Sequence, residues 1–139
     1  MKKISSIDLF AGVGGMRISL NKALKKMGLG HECNLYSEFN LYCQQTYDVN
    51  FPGTKLIKDI MSIKPSEIKT KIPDHDILLA GFPCQPFSRA GISSRVFLKR
   101  SHGFDDKKQG NLFFNILEIL NKKKPKAFLL ENVQNLKNY

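Results

Sequence analysis

The sequence predicts an α/β domain built on a parallel sheet, and three observations support this fold class. Short apolar runs alternate with longer amphipathic stretches, which is the pattern of β/α/β units. Residues 77–80 are all apolar, as expected of a strand that is buried on both faces. The length of 139 residues, with 42% hydrophobic and 24% charged side chains, is that of one ordinary globular domain.

The predicted elements alternate along the whole chain. A first strand at residues 4–10 ends at closely spaced glycines, and the helix after it carries apolar residues at three- and four-residue intervals until Gly28. A later helix begins at Asn111, a residue type that caps helices, and ends before Pro125. A short helix is predicted at residues 40–50, and further strands at residues 32–38, 55–57, 76–80 and 127–130.

Composition and charge exclude several classes of protein. No apolar run approaches the roughly 18 residues of a membrane-spanning helix, and no signal-peptide pattern follows Met1, so we expect a cytoplasmic protein. The three cysteines predict neither a disulfide framework nor a metal site, and Cys33 and Cys43 are interpreted as small buried residues. A net charge of +10 favours a polyanionic partner, although solvated lysines would produce the same sum.

A glycine-rich turn follows the first predicted strand. Gly12, Gly14 and Gly15 would let the backbone pass close to a ligand, beside the free N–H groups of a helix N-terminus. Their spacing is not that of a dinucleotide-binding fingerprint, and glycine turns after strands are common in plain α/β folds. A small-molecule site and a structural turn both remain compatible with this segment.

Acidic residues follow the second and third predicted strands. Glu38 stands where a carboxylate can accept hydrogen bonds from the two hydroxyls of a ribose. Asp59 could accept from an adenine amino group, between the apolar side chains of Phe39 and Ile60. Because the carboxyl ends of parallel strands meet at one edge of a sheet, we expect these residues to border one pocket together with Phe10.

The strongest chemical signal is a single cysteine. Cys84 lies between Pro83 and Gln85 in a loop directly after the fourth strand, and a stiffened loop presents the sulfur as a nucleophile. Glu131 ends the fifth strand. If that strand neighbours the fourth, its partly desolvated carboxyl group would face the cysteine and act as an acid.

A basic segment follows the cysteine. Residues 89–109 hold six basic and two acidic side chains, including Arg89, Arg95, Lys99 and Arg100. Contact with phosphate groups and simple solubility of the loop are both compatible with this composition. The glycines at either end would let such a loop move as a lid.

Three segments together identify a resemblance. Residues 8–15 (Asp-Leu-Phe-Ala-Gly-Val-Gly-Gly), residues 81–88 (Gly-Phe-Pro-Cys-Gln-Pro-Phe-Ser) and residues 131–133 (Glu-Asn-Val) closely resemble signature motifs of the cytosine-C5 DNA methyltransferases. The resemblance covers essentially the whole chain. It implies a three-layer Rossmann-like fold that binds S-adenosylmethionine, with a parallel sheet of order 3-2-1-4-5 that stops before the last strands of the family.

The resemblance also implies residue roles. Cys84 would attack C6 of a cytosine flipped out of double-stranded DNA, and Glu131 would bind and protonate N3 of that base. The matched cofactor-binding positions are Phe10, Gly12, Gly14, Gly15, Glu38, Phe39, Asp59, Ile60, Pro83 and Leu112. The substrate and DNA contacts expected from it are Gln85, Ser88, Arg89, Arg95, Lys99, Arg100 and Asn132.

The chain also departs from the family pattern. It corresponds to the N-terminal portion of the catalytic domain, and we expect the target-recognition domain and the C-terminal helix to be absent. A complementing C-terminal polypeptide is therefore a possible partner, in a restriction-modification or a regulatory setting. Two alternatives stay open: a catalytically idle fragment that binds cofactor or DNA, and a transfer-RNA cytosine methyltransferase.

Overall fold

A computed structural model describes residues 2–83 and 111–133. Five parallel strands form one sheet in the order β3-β2-β1-β4-β5, which confirms the predicted topology. Each strand lies within two residues of its predicted position. The strands are β1 Lys3–Leu9, β2 Gly30–Ser37, β3 Lys55–Ile57, β4 Ile77–Gly81 and β5 Ala127–Glu131.

Four helices lie in the described part of the chain, and the three predicted ones are among them. The helices are α1 Gly15–Lys26, α2 Leu41–Asn50, α3 Ile68–Lys71 and α4 Asn111–Lys123. Sequence analysis missed α3 and the two 3₁₀ turns before it, Ile60–Ser62 and Pro65–Glu67. All three are too short to show a helical period. The turn Ile60–Ser62 is held locally by the Asp59 side chain, which accepts from Met61 N at 2.9 Å.

A bulge in β2 aligns Leu35 with Ile7 on one face of the sheet. Ser6 pairs with Cys33 but Ile7 pairs with Leu35, so Asn34 is an extra residue on β2. The face that carries Ile7 and Leu35 packs against α3 and α4 and forms the apolar core. The other members of that buried cluster are Leu9, Ile60, Ile63, Ile68, Ile72, Leu78, Ala80, Phe82, Ile116 and Ile119.

The opposite face holds a buried polar cluster beneath α1 and α2, which completes a three-layer arrangement. Asp8 has no exposed surface, and its Oδ2 accepts a hydrogen bond from Tyr47 Oη at 3.3 Å. Arg17 Nη1 donates to Tyr47 Oη at 3.3 Å and to Thr54 Oγ1 at 2.9 Å, and its guanidinium lies 4.1 Å from the centre of the Phe51 ring. Burial raises the pKa of Asp8 to about 7, against the opposing effects of the Tyr47 hydrogen bond and the Arg17 charge.

The two cysteines in the described residues differ in burial. Cys33 is 6% exposed, which confirms the prediction of a buried residue, and its Sγ lies 3.8 Å from Tyr47 Oη in the polar cluster. Cys43 is only half-buried, so the prediction of a buried residue is wrong there. The reason is the orientation of α2, which directs Gln44 and Tyr47 inward and leaves Tyr42 exposed.

Strand β5 forms one edge of the sheet in the part of the chain that the structure describes. Phe128 is 58% exposed and Leu129 is 56% exposed, on opposite faces of the strand. On the Leu129 side a groove of about 550 Å³ runs between β5 and α1. Most of its walls are apolar, with Met16, Leu20 and Ala23 contributed by α1.

Candidate functional site

A cavity of about 740 Å³ opens at the carboxyl edge of the sheet. It brings together residues that are far apart in the sequence, because β1, β2, β3, β4 and β5 all end at this edge. Of the predicted site residues, those that line the cavity are Phe10, Glu38, Phe39, Asp59, Ile60, Pro83, Leu112 and Glu131.

Glu38 is held rigidly at the cavity wall. Its Oε2 accepts from Gly12 N at 2.8 Å, and its Oε1 accepts from Asn40 N at 2.7 Å. The Glu38 carbonyl accepts from Gln44 Nε2 at 2.7 Å, which ties the backbone to α2 as well. Each carboxylate oxygen keeps a further lone pair, so a fixed acceptor pair is available for two neighbouring hydroxyls.

The turn after β1 has an unusual backbone. Phe10 has a φ of 55°, a left-handed conformation that is uncommon for a residue with a bulky side chain. Ala11 N donates to Ser37 O at 3.0 Å, which joins this turn to the end of β2. Such conformations persist where surrounding contacts hold them, and this one keeps Phe10 at the cavity.

The glycines of the turn have roles that the sequence did not reveal. Gly14 has a φ of 91°, and a Cβ built there would lie 2.5 Å from Phe51 Cε2 and 3.2 Å from Tyr47 Cε2. Its lack of a side chain is therefore required by packing against α2. Gly12 acts through its N–H on Glu38, and Gly15 has open space around it. None of the three lines the cavity, so their direct contact with a cofactor stays a prediction.

The cavity is also lined by Phe39, Asp59 and Ile60. Phe39 is 80% exposed, so its ring is available to a planar ligand group. Ile60 is 4% exposed and belongs mainly to the apolar core. Asp59 Oδ1 accepts from Met61 N, which leaves Oδ2 for a ligand.

Glu131 stands opposite Gly81 in the β4–β5 register. Its Oε2 lies 3.5 Å from the position of a Cβ built on Gly81, an ordinary van der Waals distance, so the carboxyl group lies beside the end of β4. Glu131 is exposed to solvent, so the predicted partial desolvation is wrong for the described residues. The reason is its place on an edge strand, since no further strand or helix of the described part covers it.

Several predicted residues lie outside the described residues. They are Cys84 and the expected DNA contacts Gln85, Ser88, Arg89, Arg95, Lys99 and Arg100. Sequence reasoning in turn missed Ser37, Lys58 and Val133, which line the cavity. Ser37 and Lys58 could have been found, because each stands at the carboxyl end of a predicted strand.

The described segments hold neither a metal-ligating cluster nor a membrane-spanning helix. Among these residues no group of three or more His, Cys, Asp or Glu side chains could hold a metal ion. No helix in residues 2–83 and 111–133 is long and apolar enough to cross a membrane.

A parallel sheet of order 3-2-1-4-5, with an anchored carboxylate and an exposed aromatic ring in a cavity at its carboxyl edge, defines a Rossmann-like α/β domain with a ligand-sized cavity. The family model for C-5 cytosine-specific DNA methylases matches residues 4–139. The chain belongs to this family.

Curated relatives and solved structures agree with this assignment. The Type II methyltransferase M.HaeII of Haemophilus aegyptius is 51% identical over 136 residues, which is 98% of this chain and 36% of that protein. The DNA-cytosine methyltransferase of Escherichia coli is 42% identical, with 96% of this chain and 30% of that protein covered. The chain spans about a third of the length of these relatives.

Structural similarity covers the same extent. A mutant of Spodoptera frugiperda DNMT2 has a TM-score of 0.65 at 28% identity, with 98% of this chain and 37% of that chain covered. The Dnmt2 methyltransferase of S. pombe shares the fold, with a TM-score of 0.68 at 22% identity. The match covers 98% of this chain and 36% of the S. pombe chain.

Proposed function

We propose that the chain is the N-terminal catalytic part of a DNA (cytosine-5-)-methyltransferase, which uses S-adenosylmethionine to methylate C5 of a cytosine in double-stranded DNA. The observation that carries the proposal is that Glu38, Phe39 and Glu131 line the same cavity. A cofactor-binding pair and a candidate acid then share one space. Relatives named as DNA methyltransferases favour DNA over transfer RNA as the substrate.

The cavity residues suit the proposed cofactor. An adenosine group needs an acceptor pair for its ribose, a flat apolar surface for its base and an acceptor at the base edge. Glu38, Phe39 and Asp59 supply these in turn, and Ile60 and Phe10 complete the apolar walls. When bound, S-adenosylmethionine supplies an electrophilic methyl group.

The proposed chemistry uses two residues that follow adjacent strands. The thiolate of Cys84 would add to C6 of the cytosine while Glu131 gives a proton to N3, and the resulting neutral enamine is nucleophilic at C5. C5 would take the methyl group of S-adenosylmethionine, with S-adenosylhomocysteine as the leaving group. Loss of the C5 proton to a base, breakage of the S–C6 bond and return of the N3 proton to Glu131 would restore the thiolate and the acid and release 5-methylcytosine. The register of β4 and β5, with Gly81 beside Glu131, supports the pairing of these two roles.

Replacing Glu38 with glutamine is expected to lower affinity for S-adenosylmethionine at least tenfold. Both carboxylate oxygens accept backbone N–H groups, so the new amide nitrogen would face a donor in either orientation. Isothermal titration calorimetry of the whole chain measures the change. Glu32→Gln is the matched control, because Glu32 is an exposed acid of β2 whose side chain bonds only Lys3 among the described contacts.

A wild-type chain that releases no heat with the cofactor would contradict the cofactor assignment for this chain alone. Equal affinity of the Glu38→Gln variant and the wild type would contradict the role of Glu38. Binding without methyl transfer, in every preparation tested, would identify the catalytically idle fragment instead.

A complementing polypeptide is the second part of the proposal. The relatives are about three times as long as this chain, and β5 presents exposed Phe128 and Leu129 beside an apolar groove. An open edge with apolar faces is a surface that a further strand and helix would cover. We place the additional polypeptide of the relatives on this edge and groove.

Mixing the chain with the part of M.HaeII outside the match is expected to produce methyl transfer to DNA, measured with a radiolabelled methyl donor. Leu129→Glu should abolish both association and transfer, because it puts a charge into the covered face. Val49→Glu is the control, since Val49 is 83% exposed on α2, away from this groove. Association that survives Leu129→Glu would contradict this location.

The chain mixed with the remaining part of M.HaeII is called the complemented preparation. In this preparation, Cys84→Ser and Glu131→Gln test the chemistry independently of assembly. Both should assemble normally and lose transfer. A covalent adduct formed by Cys84→Ser on 5-fluorocytosine DNA would contradict the identity of the nucleophile.

A further inference from the structure

Asn132 makes contacts within the protein that differ from its expected role at DNA. Its Nδ2 donates to the carbonyl of Phe82 at 3.0 Å, and its Oδ1 accepts from Val133 N at 2.8 Å. The residue is half-buried. The side-chain amide therefore binds backbone groups at both ends, one at the end of β4 and one in its own segment.

The contact lies where the sheet ends. Gly81 and Glu131 are the last paired residues of β4 and β5, and the Asn132 amide continues the connection by one residue to Phe82. The Phe82 ring is 3% exposed and packs 5.8 Å from the ring of Phe113, so the carbonyl that Asn132 binds belongs to a fixed segment.

This connection joins two parts of one cavity wall. Phe82 and Pro83 come from the end of β4, and Glu131 and Val133 come from the end of β5. Strand β5 pairs only with β4 in the described part, and its end is exposed. Strand ends of this kind open locally unless a contact holds them.

We propose that Asn132 is a positioning residue that holds Glu131 against the Phe82–Pro83 segment, and that it is not a DNA contact. This inference rests on the proposed function for the role of Glu131. The side-chain amide suits the task because it offers a donor to one strand end and an acceptor to the other.

The test compares Asn132→Ala with Asn34→Ala. Asn34 is also half-buried, and its Nδ2 also donates to a backbone carbonyl, that of Asp74 at 3.2 Å, but Asp74 does not line the cavity, whereas Phe82 and Val133 do. In the complemented preparation, Asn132→Ala should lower kcat at least tenfold while KM for DNA, measured alongside, changes less than twofold. Asn34→Ala should leave both unchanged.

Three results would overturn the inference. A raised KM for DNA with unchanged kcat would make Asn132 a DNA contact. Equal kcat values for Asn132→Ala and Asn34→Ala would remove the positioning role. A wild-type kcat for Asn132→Asp, beside a lowered kcat for Asn132→Ala, would also contradict it, because aspartate cannot donate to the Phe82 carbonyl.

Hydrogen exchange on the whole chain separates this inference from the proposed function. Asn132→Ala should raise the exchange rate of the Val133 amide at least tenfold, with no change at the β1–β2 pairing. If the wild type transfers no methyl group, the proposed function fails, and exchange still decides whether Asn132 holds the strand end. An unchanged rate at Val133 would overturn the inference.

Discussion

Replacing Gly14 with alanine is expected to lower the free energy of unfolding by about 3 kcal/mol or more. Two costs add. The left-handed φ of 91° is unfavourable for any residue with a Cβ, and the new methyl group would lie 2.5 Å from Phe51 Cε2. The half-buried Phe51 ring packs 4.9 Å from the buried Tyr47 ring, so neither ring can move without disturbing Arg17 or Asp8. Urea denaturation followed by circular dichroism measures the change.

Gly15→Ala is the matched control for this prediction. Gly15 begins α1, has no atom within 4 Å of a built Cβ and lacks the left-handed backbone, so alanine should be neutral or slightly stabilising there. Phe51→Leu in the Gly14→Ala background should recover part of the loss by removing the overlapping ring atom. A Gly14→Ala chain as stable as the wild type would show that the turn is not packed against α2 as described.

Asp8→Asn is expected to flatten the dependence of stability on pH and to make the chain more stable than the wild type at pH 8. Burial raises the pKa of Asp8 from 3.8 to about 7 in the folded chain. The stability that belongs to the neutral carboxyl group is fully present below pH 4 and is lost as the pH rises through about 7. The total loss is on the order of 4 kcal/mol, which asparagine does not suffer because it carries no charge.

The measurement is the free energy of unfolding of both chains from pH 5 to pH 8. Burial lowers the pKa values of His31 and His75, and these histidines favour stability as the pH rises to about 6.5, so the difference between variant and wild type isolates Asp8. Asp48→Asn is the control, because Asp48 is an exposed acid of α2 that accepts from Tyr36 Oη, whose ring stacks on that of Tyr47. Parallel curves for Asp8→Asn and the wild type would contradict the assignment of a buried, neutral Asp8.

Much of the fold was predictable because its signals are local. Strands β1 to β5 and helices α1, α2 and α4 carry apolar periods or runs bounded by glycine, proline or a capping residue. The bulge at Asn34 and the short helix α3 were not predictable, since neither extends far enough to produce a period. Their positions follow from pairing with β1 and from the need to cover the apolar face of the sheet.

The candidate site was predictable in its outline for a different reason. Strand ends of a parallel sheet converge on one edge, so Glu38, Asp59 and Glu131 could be assigned to a single pocket before their distances were known. The burial of those residues could not be predicted in the same way. Glu131 is exposed because β5 is an edge strand, which depends on what covers the sheet and not on the residues near Glu131.

The sequence by itself determined the order of elements, the parallel sheet and the family of this protein, because these depend on local patterns and on motif order along the chain. Only the tertiary structure decided that Gly14 packs on Phe51, that Asp8 is buried with no partner for its Oδ1 among the described residues, and that Asn132 binds the Phe82 carbonyl. Each of these contacts joins residues from different elements. The distances between these residues are fixed by packing across the whole domain. No short stretch of sequence contains that information.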